Sequence, residues 1–423
     1  MLLVNTIREN FETVLEGLQK RNFPHAEAAL HQVLELDKRR KETQSERDAL
    51  QAEANSISKQ VGQLMREGKK EEAEQVKDRT AAIKEQIKNL ESAYGDFEEE
   101  LKQLLYTLPN VPHASVPKGK SAEDNLIVFQ HGTIPQLPES KQPHWELIKK
   151  YDIIDFDLGV KITGAGFPVY KGRGARLQRA LVNFFLDEAQ REGYTEIQPP
   201  ILVNEDSGYG TGQLPDKEGQ MYEATADKLY LIPTAEVPLT NIYRDVILNE
   251  MEFPIKNVGF TPCFRREAGS WGAHVRGLNR LHQFDKVEIV QIVHPDKSYE
   301  ALEEMSSYVQ RLLQKLELPY RVLKLCGGDM GFTSALTYDM EVFSAAQERW
   351  LEVSSVSNFE TFQANRLKLR FKGEDKKTQL AHTLNGSALA LPRIVASILE
   401  NNQTEEGILM PKVLVPYLGF DII

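Results

Sequence analysis

Residues 260–290 combine arginine, glutamate and aromatic side chains in an arrangement that could bind a nucleotide. Apolar stretches with the period of a β-strand flank a glycine-containing turn. Arg265 and Glu267 precede this turn, and Phe284 and Glu288 follow it. A guanidinium donates two parallel hydrogen bonds to phosphate oxygens, and a carboxylate accepts hydrogen bonds from an amino group. The segment therefore predicts a β-hairpin that carries a nucleotide site.

Three segments of the chain resemble the motifs of class II aminoacyl-tRNA synthetases, and within that class the chain is similar to the seryl-tRNA synthetases. Motif 1 corresponds to residues 174–200, motif 2 to residues 260–290 and motif 3 to residues 385–393. Between them lie Thr234-Ala235-Glu236 and Glu352-Val353-Ser354-Ser355, both typical of the seryl family. The resemblance covers the whole chain.

The resemblance implies an enzyme that activates L-serine with ATP to seryl-adenylate and then transfers serine to the 3′ end of serine tRNA. It also implies Mg²⁺ as a cofactor and a homodimer formed through motif 1. The sequence leaves open whether selenocysteine tRNA is a second substrate.

The family's ATP site can be carried over to matching positions of this sequence. By resemblance, Arg265 would hold the α-phosphate, Glu267 the adenine amino group and Arg280 the γ-phosphate. Phe284 and Arg393 would sandwich the adenine ring. The full set that the resemblance implies for ATP is Arg265, Arg266, Glu267, Arg280, Phe284, Glu352, Val353, Ser354, Ser355 and Arg393.

The same comparison supplies a metal site and a serine pocket. Glu352 and Ser355 would ligate Mg²⁺, which prefers carboxylate and hydroxyl oxygens. The pocket for serine would consist of Thr234, Ala235, Glu236, Glu288, Asn385 and Ser387. The sequence does not decide whether Glu236 or Glu288 binds the serine hydroxyl and which of them binds the ammonium group.

Composition limits the range of functions. The chain has 423 residues, a net charge of −11 and two cysteines, Cys263 and Cys326. Its length predicts two domains. With no paired Cys/His spacing we expect neither disulfides nor zinc. No signal peptide or apolar run long enough to span a membrane is evident, which favours a cytoplasmic protein. The negative charge requires that any tRNA contact depend on local basic patches.

Residues 29–104 carry two heptad series separated by a polar break, which predicts two helical arms, 29–64 and 73–104. Each seam position from Val33 to Leu64 in the first arm has a counterpart in the second whose residue number adds with it to 137. The two series therefore mirror each other about Gly68, as an antiparallel hairpin requires. The tip cations Arg66, Lys69 and Lys70 are the candidates for tRNA contact.

Polar residues interrupt the seam near its base. The register places Arg40, Thr43 and Arg47 opposite Phe97, Tyr94 and Leu90, where aromatic faces could cover the arginines. The basic run 38–41 lies opposite the acidic run 96–100. We expect these two runs to pair across the hairpin rather than to bind nucleic acid.

The chain is predicted to be an α+β protein: an N-terminal antiparallel helical hairpin, or coiled coil, followed by a class II synthetase-like catalytic domain on an antiparallel sheet. The expected divisions are a tRNA-binding domain over 1–107, a Pro/Asn-rich linker over 108–142 and the catalytic domain over 143–423. Within the catalytic domain the pattern predicts helices over 174–192, 297–316 and 387–402. Strands are expected near 195–203, 229–233, 257–265 and 281–293.

Two departures from the family and two alternative functions stay open. Trp271 and Ala273 differ from many bacterial relatives in the motif 2 turn, and Trp271 could be buried or could stack on a terminal base of tRNA.

One alternative function is that of a ligase that charges a carrier protein, although such relatives generally lack the long hairpin. The other is an inactive RNA-binding or scaffold protein. The intact set of Arg265, Glu267, Glu352 and Arg393 argues against the latter.

Overall fold

The computed structural model describes residues 1–216, 218–267 and 276–423. Backbone contacts divide the chain into two compact units. One unit comprises residues 2–19 and 23–109, and the other comprises residues 1, 20–22 and 110–423.

The smaller unit is helical. Its helices are α1 (Val4–Glu9), α2 (Phe11–Lys20, ending in the larger unit), α3 (Ala26–Arg66) and α4 (Lys70–Thr107). No proline interrupts α3 or α4, which contain 41 and 38 residues, so each extends roughly 60 Å at about 1.5 Å per residue. Gly68 adopts a left-handed conformation, φ +79°, in the turn between them. The predicted helical hairpin is confirmed, and both predicted arms lie within these helices.

Apolar side chains of α3 and α4 meet along the predicted seam. Ala54, Ile57, Ile83 and Ile87 are buried together, and Leu50, Val61 and Val76 pack against them. In this cluster Ala54 is the predicted counterpart of Ile83, and Val61 that of Val76. The packing therefore agrees with a register in which paired residue numbers add to 137.

The basic run at the base of α3 does not pair as expected. Asp37 is buried, and its carboxylate forms ion pairs at 2.9 Å with both Arg40 and Lys41 on the same helix. Arg8 of α1 binds the same carboxylate. The prediction that this run pairs with residues 96–100 across the hairpin was wrong for Arg40 and Lys41. A buried carboxylate one helical turn away competes better for these cations than solvated glutamates do.

Aromatic rings nevertheless cover the arginines of the seam. The Arg40 guanidinium donates a hydrogen bond to the Tyr94 hydroxyl at 3.2 Å, and the Arg47 guanidinium lies 5.5 Å from the centroid of the same ring. Phe97 is instead contacted by Arg39, at 4.4 Å. The aromatic compensation thus occurs, with Arg39 in the place expected for Arg40.

The larger unit contains helices and strands in mixed order. Its helices are α5 (His144–Lys150), α6 (Phe156–Ile162), α7 (Gly172–Arg191), α8 (Glu205–Thr211), α9 (Glu236–Asn241), α10 (Ser298–Lys315), α11 (Thr361–Leu367), α12 (Leu391–Asn401) and α13 (Val415–Leu418). Its strands are β1 (Leu126–His131), β2 (Ile154–Asp155), β3 (Val169–Tyr170), β4 (Thr195–Glu196), β5 (Leu202–Val203), β6 (Tyr222–Ala224), β7 (Leu229–Leu231), β8 (Ile247–Asn249), β9 (Ile255–Phe264), β10 (Gln283–Val293), β11 (Tyr320–Lys324), β12 (Leu336–Ser344), β13 (Arg349–Asn358), β14 (Arg370–Lys372), β15 (Thr378–Leu380) and β16 (His382–Ala390).

An eight-stranded sheet forms the framework of this unit, in the order β1-β11-β12-β13-β16-β10-β9-β4. Its pairings are antiparallel apart from that of β4 with β9. Helices α7, α10 and α12 pack against the sheet and share one continuous apolar core with it. The α+β class predicted from the sequence is confirmed.

Two local predictions were wrong. Residues 387–390, expected to begin a helix, complete β16, and α12 starts at Leu391. The period of a short apolar run cannot separate a buried strand from a buried helix. Part of the expected linker 108–142 is also structured, because β1 pairs with β11 at the edge of the large sheet. In the part of the chain that the structure describes, no helix is long and apolar enough to cross a membrane.

Candidate active site

A cavity of about 590 Å³ lies among the strands β12, β13, β16 and β10, which are consecutive in the large sheet. Most of the side chains predicted for the site meet here. Those that line the cavity are Thr234, Glu236, Arg265, Glu267, Arg280, Phe284, Glu352, Val353, Ser354, Ser355, Asn385, Ser387 and Arg393.

Three predicted residues do not line the cavity. Glu288 is fully buried directly behind its wall, where it accepts a hydrogen bond from the cavity-lining Asn385. Ala235 is buried at the start of α9 among apolar neighbours. Arg266 is exposed, and its backbone N–H donates to the Gln220 carbonyl at 2.8 Å.

The cavity lining includes a cation beside an aromatic ring. Arg265 follows the last residue of β9, and Phe284 is the second residue of the adjacent strand β10. The Arg265 guanidinium lies 5.2 Å from the centroid of the Phe284 ring, and its Nε donates to the Pro233 carbonyl at 3.4 Å. The ring and the carbonyl hold the guanidinium in place while leaving donors for an anion. The predicted hairpin therefore places a guanidinium, a group suited to binding phosphate, next to a flat apolar surface.

Glu267 and Arg280, predicted to bind opposite ends of ATP, bind each other. Arg280 Nε donates to the Glu267 carboxylate. The Arg280 side chain is 44% exposed and the Glu267 side chain 10% exposed, so the pair closes one edge of the cavity with a solvent-accessible cation. Glu267 occupies the left-handed region with φ +50°. The exposed Arg280 side of this ion pair can exchange partners at little energetic cost.

Arg393, in the first turn of α12, is held by two backbone carbonyls. Its Nη1 donates to the Glu352 carbonyl at 2.6 Å and its Nε to the Asn279 carbonyl at 3.1 Å. The guanidinium thereby bridges β13 and the turn of motif 2 that precedes β10. Arg393 and Phe284 line the same cavity, and the adenine sandwich stays a prediction.

A β-bulge brings Glu352 and Ser355 to the same cavity. In the pairing of β12 with β13, Glu341 lies opposite Glu352 while Met340 lies opposite Ser354, so Val353 has no partner. Residues three apart on a regular strand point to opposite faces, and an extra residue reverses that alternation. The spacing from Glu352 to Ser355 thus provides a carboxylate and a hydroxyl on one surface.

Asp339 adds a second carboxylate to this group. It lies directly opposite Ser355 in the sheet, and the Ser355 hydroxyl hydrogen-bonds to it. Its Oδ1 is buried without a hydrogen-bond partner among the described residues. Burial, followed by the nearby Glu352 carboxylate, raises the pKa of Asp339 well above its usual range. Two carboxyl groups and a hydroxyl are a donor set that fits Mg²⁺, and a bound cation would favour the ionised form of Asp339.

One part of the cavity wall is acidic and buried. The side-chain NH₂ of Asn385 joins two carboxylates there, because it donates to Glu288 at 2.7 Å and to Glu236 at 3.1 Å. Lys286 forms an ion pair with Glu288 at 2.6 Å, and Gln363 donates to Glu236 at 2.6 Å. This part of the cavity is therefore suited to a small ligand that carries a positive charge and hydrogen-bonding groups.

The two carboxylates differ in their electrostatic environment. Glu288 contacts the buried cation Lys286, whereas the hydrogen-bond partners of Glu236 are the neutral amides of Gln363 and Asn385. Burial and then the proximity of Glu288 raise the pKa of Glu236 from 4.5 to about 7. A bound cation would favour the ionised form of Glu236 and would complete the charge balance of the pocket.

Lys286, Asp339 and Gln363 were missed by the sequence analysis. Lys286 precedes Glu288 by two residues, so strand alternation could have placed both on one face. Asp339 and Gln363 lie far along the chain from their partners and had no local signal. Trp271 and Ala273, the departures noted in motif 2, lie outside the described residues.

Comparisons with known proteins match this architecture. Residues 1–112 match the family profile described as the seryl-tRNA synthetase N-terminal domain, and residues 220–402 match the tRNA synthetase class II core domain (G, H, P, S and T). The serine–tRNA ligase of Salinibacter ruber is 50% identical over 99% of this chain and 98% of the relative, and that of Chlorobaculum parvum is 45% identical over the full length of both.

Solved structures agree with the sequence comparisons. The crystal structure of seryl-tRNA synthetase from Pyrococcus horikoshii complexed with ATP superimposes with a TM-score of 0.93 at 33% identity, covering 100% of this chain and 99% of that one. The cytoplasmic serine–tRNA ligase of Naegleria fowleri in complex with AMP gives a TM-score of 0.87 at 28% identity, covering 100% and 98%.

Proposed function

The chain belongs to the seryl-tRNA synthetases, a family of class II aminoacyl-tRNA ligases, and we propose that its cavity forms seryl-adenylate from ATP and L-serine before serine passes to the 3′ end of serine tRNA. The observation that carries the proposal is that one cavity contains two kinds of group. Arg265 and Phe284 line it together with the buried Glu236 and with Asn385. An anionic nucleotide and a cationic amino acid would therefore meet in one enclosed space.

ATP binding is proposed to rearrange the charged edge of the cavity. Arg265 would contact the α-phosphate, and the adenine ring would insert between Phe284 and Arg393. Glu267 would leave Arg280 and accept a hydrogen bond from the adenine amino group, which would free Arg280 for the γ-phosphate. The partial exposure of the Glu267–Arg280 ion pair supports this exchange, because a solvated pair contributes little stability of its own.

Adenylate formation requires the serine carboxylate to attack the α-phosphorus while the bond to the pyrophosphate oxygen breaks. The chain's contribution would be to place the two anions in line and to stabilise charge on the α-phosphate through Arg265. Glu352 and Ser355 would hold Mg²⁺, which would neutralise phosphate charge when bound. The oxygen donors around Asp339 support that assignment.

Serine selection would depend on the buried acidic part of the cavity wall. Glu236, Glu288 and Asn385, with Thr234 and Ser387 nearby, offer acceptors and donors for an ammonium group and a hydroxyl. A buried site built to hydrogen-bond a hydroxyl can reject the analogue without it by roughly 10⁴–10⁵, because its polar groups are then left unpaired. Alanine should therefore be a very poor substrate.

We also propose that residues 1–107 bind tRNA. The arm formed by α3 and α4 carries cations at its tip, where Lys69 pairs with Glu67 at 3.1 Å and Arg66 and Lys70 form no ion pair among the described residues. Phosphate contacts from such an arm would be sensitive to salt. Because its substrate would be tRNA, we propose that the enzyme acts in the cytoplasm.

A homodimer is proposed through the motif 1 region. A groove of about 470 Å³ runs along α7, where Val182, Leu186 and Phe260 line it. Other apolar side chains near motif 1 are exposed, including Val160 and Ile162 of α6 at 54% and 73%. Exposed apolar surface of this kind is typical of an interface with a second copy.

The experiment that tests the proposed reaction is ATP–pyrophosphate exchange with serine, alanine and threonine, followed by charging of serine tRNA, selenocysteine tRNA and a carrier protein. Exchange that depends on serine, followed by tRNA charging, is the expected result. Exchange without tRNA charging would favour the carrier-protein ligase. No exchange with any amino acid would favour the inactive scaffold and would reject the proposal.

A further inference from the structure

A buried histidine–glutamate pair lies next to the cavity and has no role in the proposed reaction. His144 begins α5 and Glu400 is near the end of α12, and both side chains are fully buried. His144 Nδ1 lies 2.6 Å from Glu400 Oε1, and the backbone N–H of His144 donates to the same oxygen at 2.8 Å. Ser344 and Gln347 also donate to this carboxylate. The carboxylate is thus extensively hydrogen-bonded.

The contacts of His144 define which ring nitrogen carries the proton. The backbone N–H of Leu278 donates to His144 Nε2 at 2.8 Å, so Nε2 must have a free lone pair. Nδ1 then carries the proton and donates it to Glu400. Gly277, which precedes Leu278, has φ +66°, and a Cβ there would lie 2.3 Å from His144 Nε2. The ring and the turn 277–279 are therefore packed with no space between them.

This turn holds the arginine of motif 3. The Asn279 carbonyl accepts from Arg393 Nε at 3.1 Å, and the Asn279 side chain donates to Gln347 at 3.2 Å. Gln347 in turn donates to Glu400 at 2.9 Å. Arg393 and Glu400 are seven residues apart on α12, which places them on the same face of the helix. His144 and Gln347 thus connect Glu400 to the backbone on which Arg393 depends.

We propose that His144 is a positioning residue for the nucleotide site. By accepting from Leu278 it fixes the turn 277–279, so that the Asn279 carbonyl orients the Arg393 guanidinium for the adenine ring. The proposal rests on the proposed role of Arg393 in ATP binding. It requires the acceptor at Nε2 specifically, because the buried Glu400 retains Ser344 and Gln347 as donors without the histidine ring.

Two substitutions separate the two nitrogens of His144. The side-chain amide of asparagine reaches the position of Nδ1 and can still donate to Glu400. It is too short to place an acceptor at the position of Nε2, so the backbone N–H of Leu278 loses its acceptor. The longer glutamine can place its amide oxygen near Nε2 and accept from Leu278. Both variants leave a similar void, so His144→Gln is the matched control for His144→Asn. The measurements are the KM values for ATP and serine and kcat in serine-dependent exchange, together with urea unfolding midpoints.

His144→Asn should raise the KM for ATP roughly tenfold, the size expected for loss of one buried hydrogen bond. The KM for serine should change less than twofold, and His144→Gln should stay within about threefold of the wild type for both substrates. Equal KM values for ATP in the two variants, or an equal rise for serine, would overturn the proposal.

A double-mutant cycle tests the path through Arg393. Affinity for a non-hydrolysable ATP analogue should fall in His144→Asn but should not fall further when that change is added to Arg393→Ala. Additive losses would show that His144 does not act through Arg393 and would overturn the proposal. Serine-dependent exchange by the wild-type enzyme is the separate check, because its absence would reject the proposed function and not only this inference.

Discussion

Replacing Glu236 by glutamine is expected to stabilise the protein at alkaline pH while it abolishes serine activation. The pKa of Glu236 is raised from 4.5 to about 7 by burial and by the Glu288 carboxylate. At about 1.4 kcal/mol per pH unit, ionising Glu236 in the folded protein costs about 3 kcal/mol. Glutamine is neutral and nearly isosteric, so this cost disappears. The NH₂ group of the new glutamine must face an N–H donor of Gln363 or Asn385. The loss of that hydrogen bond costs about 1 kcal/mol, which reduces the gain in stability.

The direction of the pH dependence follows from the raised pKa. Below about pH 4.5 the carboxyl group is protonated in both the folded and the unfolded state, and the wild type has no disadvantage. Between pH 4.5 and 7 the Glu236 carboxyl group ionises in the unfolded state but stays largely protonated in the folded state. The free energy of unfolding of the wild type therefore falls as the pH rises. Above pH 7 the loss is complete, and Glu236→Gln should exceed the wild type by about 2 kcal/mol.

The assay is thermal unfolding of both proteins at pH 5, 6, 7 and 8 without ligand. The Tm of the variant minus that of the wild type should increase with pH and reach its plateau near pH 8. Glu288→Gln is the matched control, because it leaves the buried Lys286 without its ion-pair partner. That variant should be destabilised at every pH tested. A Tm difference for Glu236→Gln that does not change with pH would refute the reasoning.

Three further predictions concern other parts of the chain. Replacing residues 29–104 by a short Gly/Ser linker should leave serine-dependent exchange within a few-fold of the wild type. The same change should reduce tRNA charging by orders of magnitude and remove the salt dependence of tRNA binding. Near-normal charging would show that the arm is dispensable. Asp37→Asn should destabilise the helical unit by about 2 kcal/mol, because its buried carboxylate holds several cations; an unchanged urea midpoint would contradict this. Asp339→Asn should raise the Mg²⁺ concentration needed for half-maximal exchange roughly tenfold, because it removes a negative charge beside Ser355. Calorimetric titration of Mg²⁺ in the presence of an ATP analogue should show the same shift. Unaltered Mg²⁺ dependence would exclude a role for Asp339 at the metal.

Prediction from the sequence succeeded where the signal was periodic or local. The heptad series could be read as a hairpin because each arm buries one stripe of side chains against the other, and that stripe repeats along the chain. The motif 2 strands were identified by alternation, and Phe284 and Glu288 both fall on β10 as expected. The predicted pairing of Arg40 and Lys41 across the hairpin was wrong because they bind Asp37 instead. Asp37 is buried, but in the heptad pattern it resembles an ordinary surface residue.

Sequence alone was weaker wherever two distant segments define one environment. The start of α12 was misplaced because Ser387–Ala390 is apolar enough for either a strand or a helix, and the hydrogen bonds to β10 decide the outcome. The segment that contains β1 was taken for linker because proline-rich residues surround it. Its assignment as a strand depends on the edge that β11 offers, which lies almost 200 residues further along the chain.

The amino-acid sequence determined the identities of the chemical groups, the helical arm and the α+β class, because these depend on residue type and on short-range period. The tertiary structure decided how those groups are balanced. It placed Lys286 against Glu288 but gave Glu236 neutral amides as hydrogen-bond partners, set Asp339 beside Ser355, and tied Arg393 to His144 through a buried turn. Burial and the effect of one charge on another depend on distance in space. Strands paired across the sheet bring together residues that are far apart in the sequence, so the sequence does not reveal that they are close.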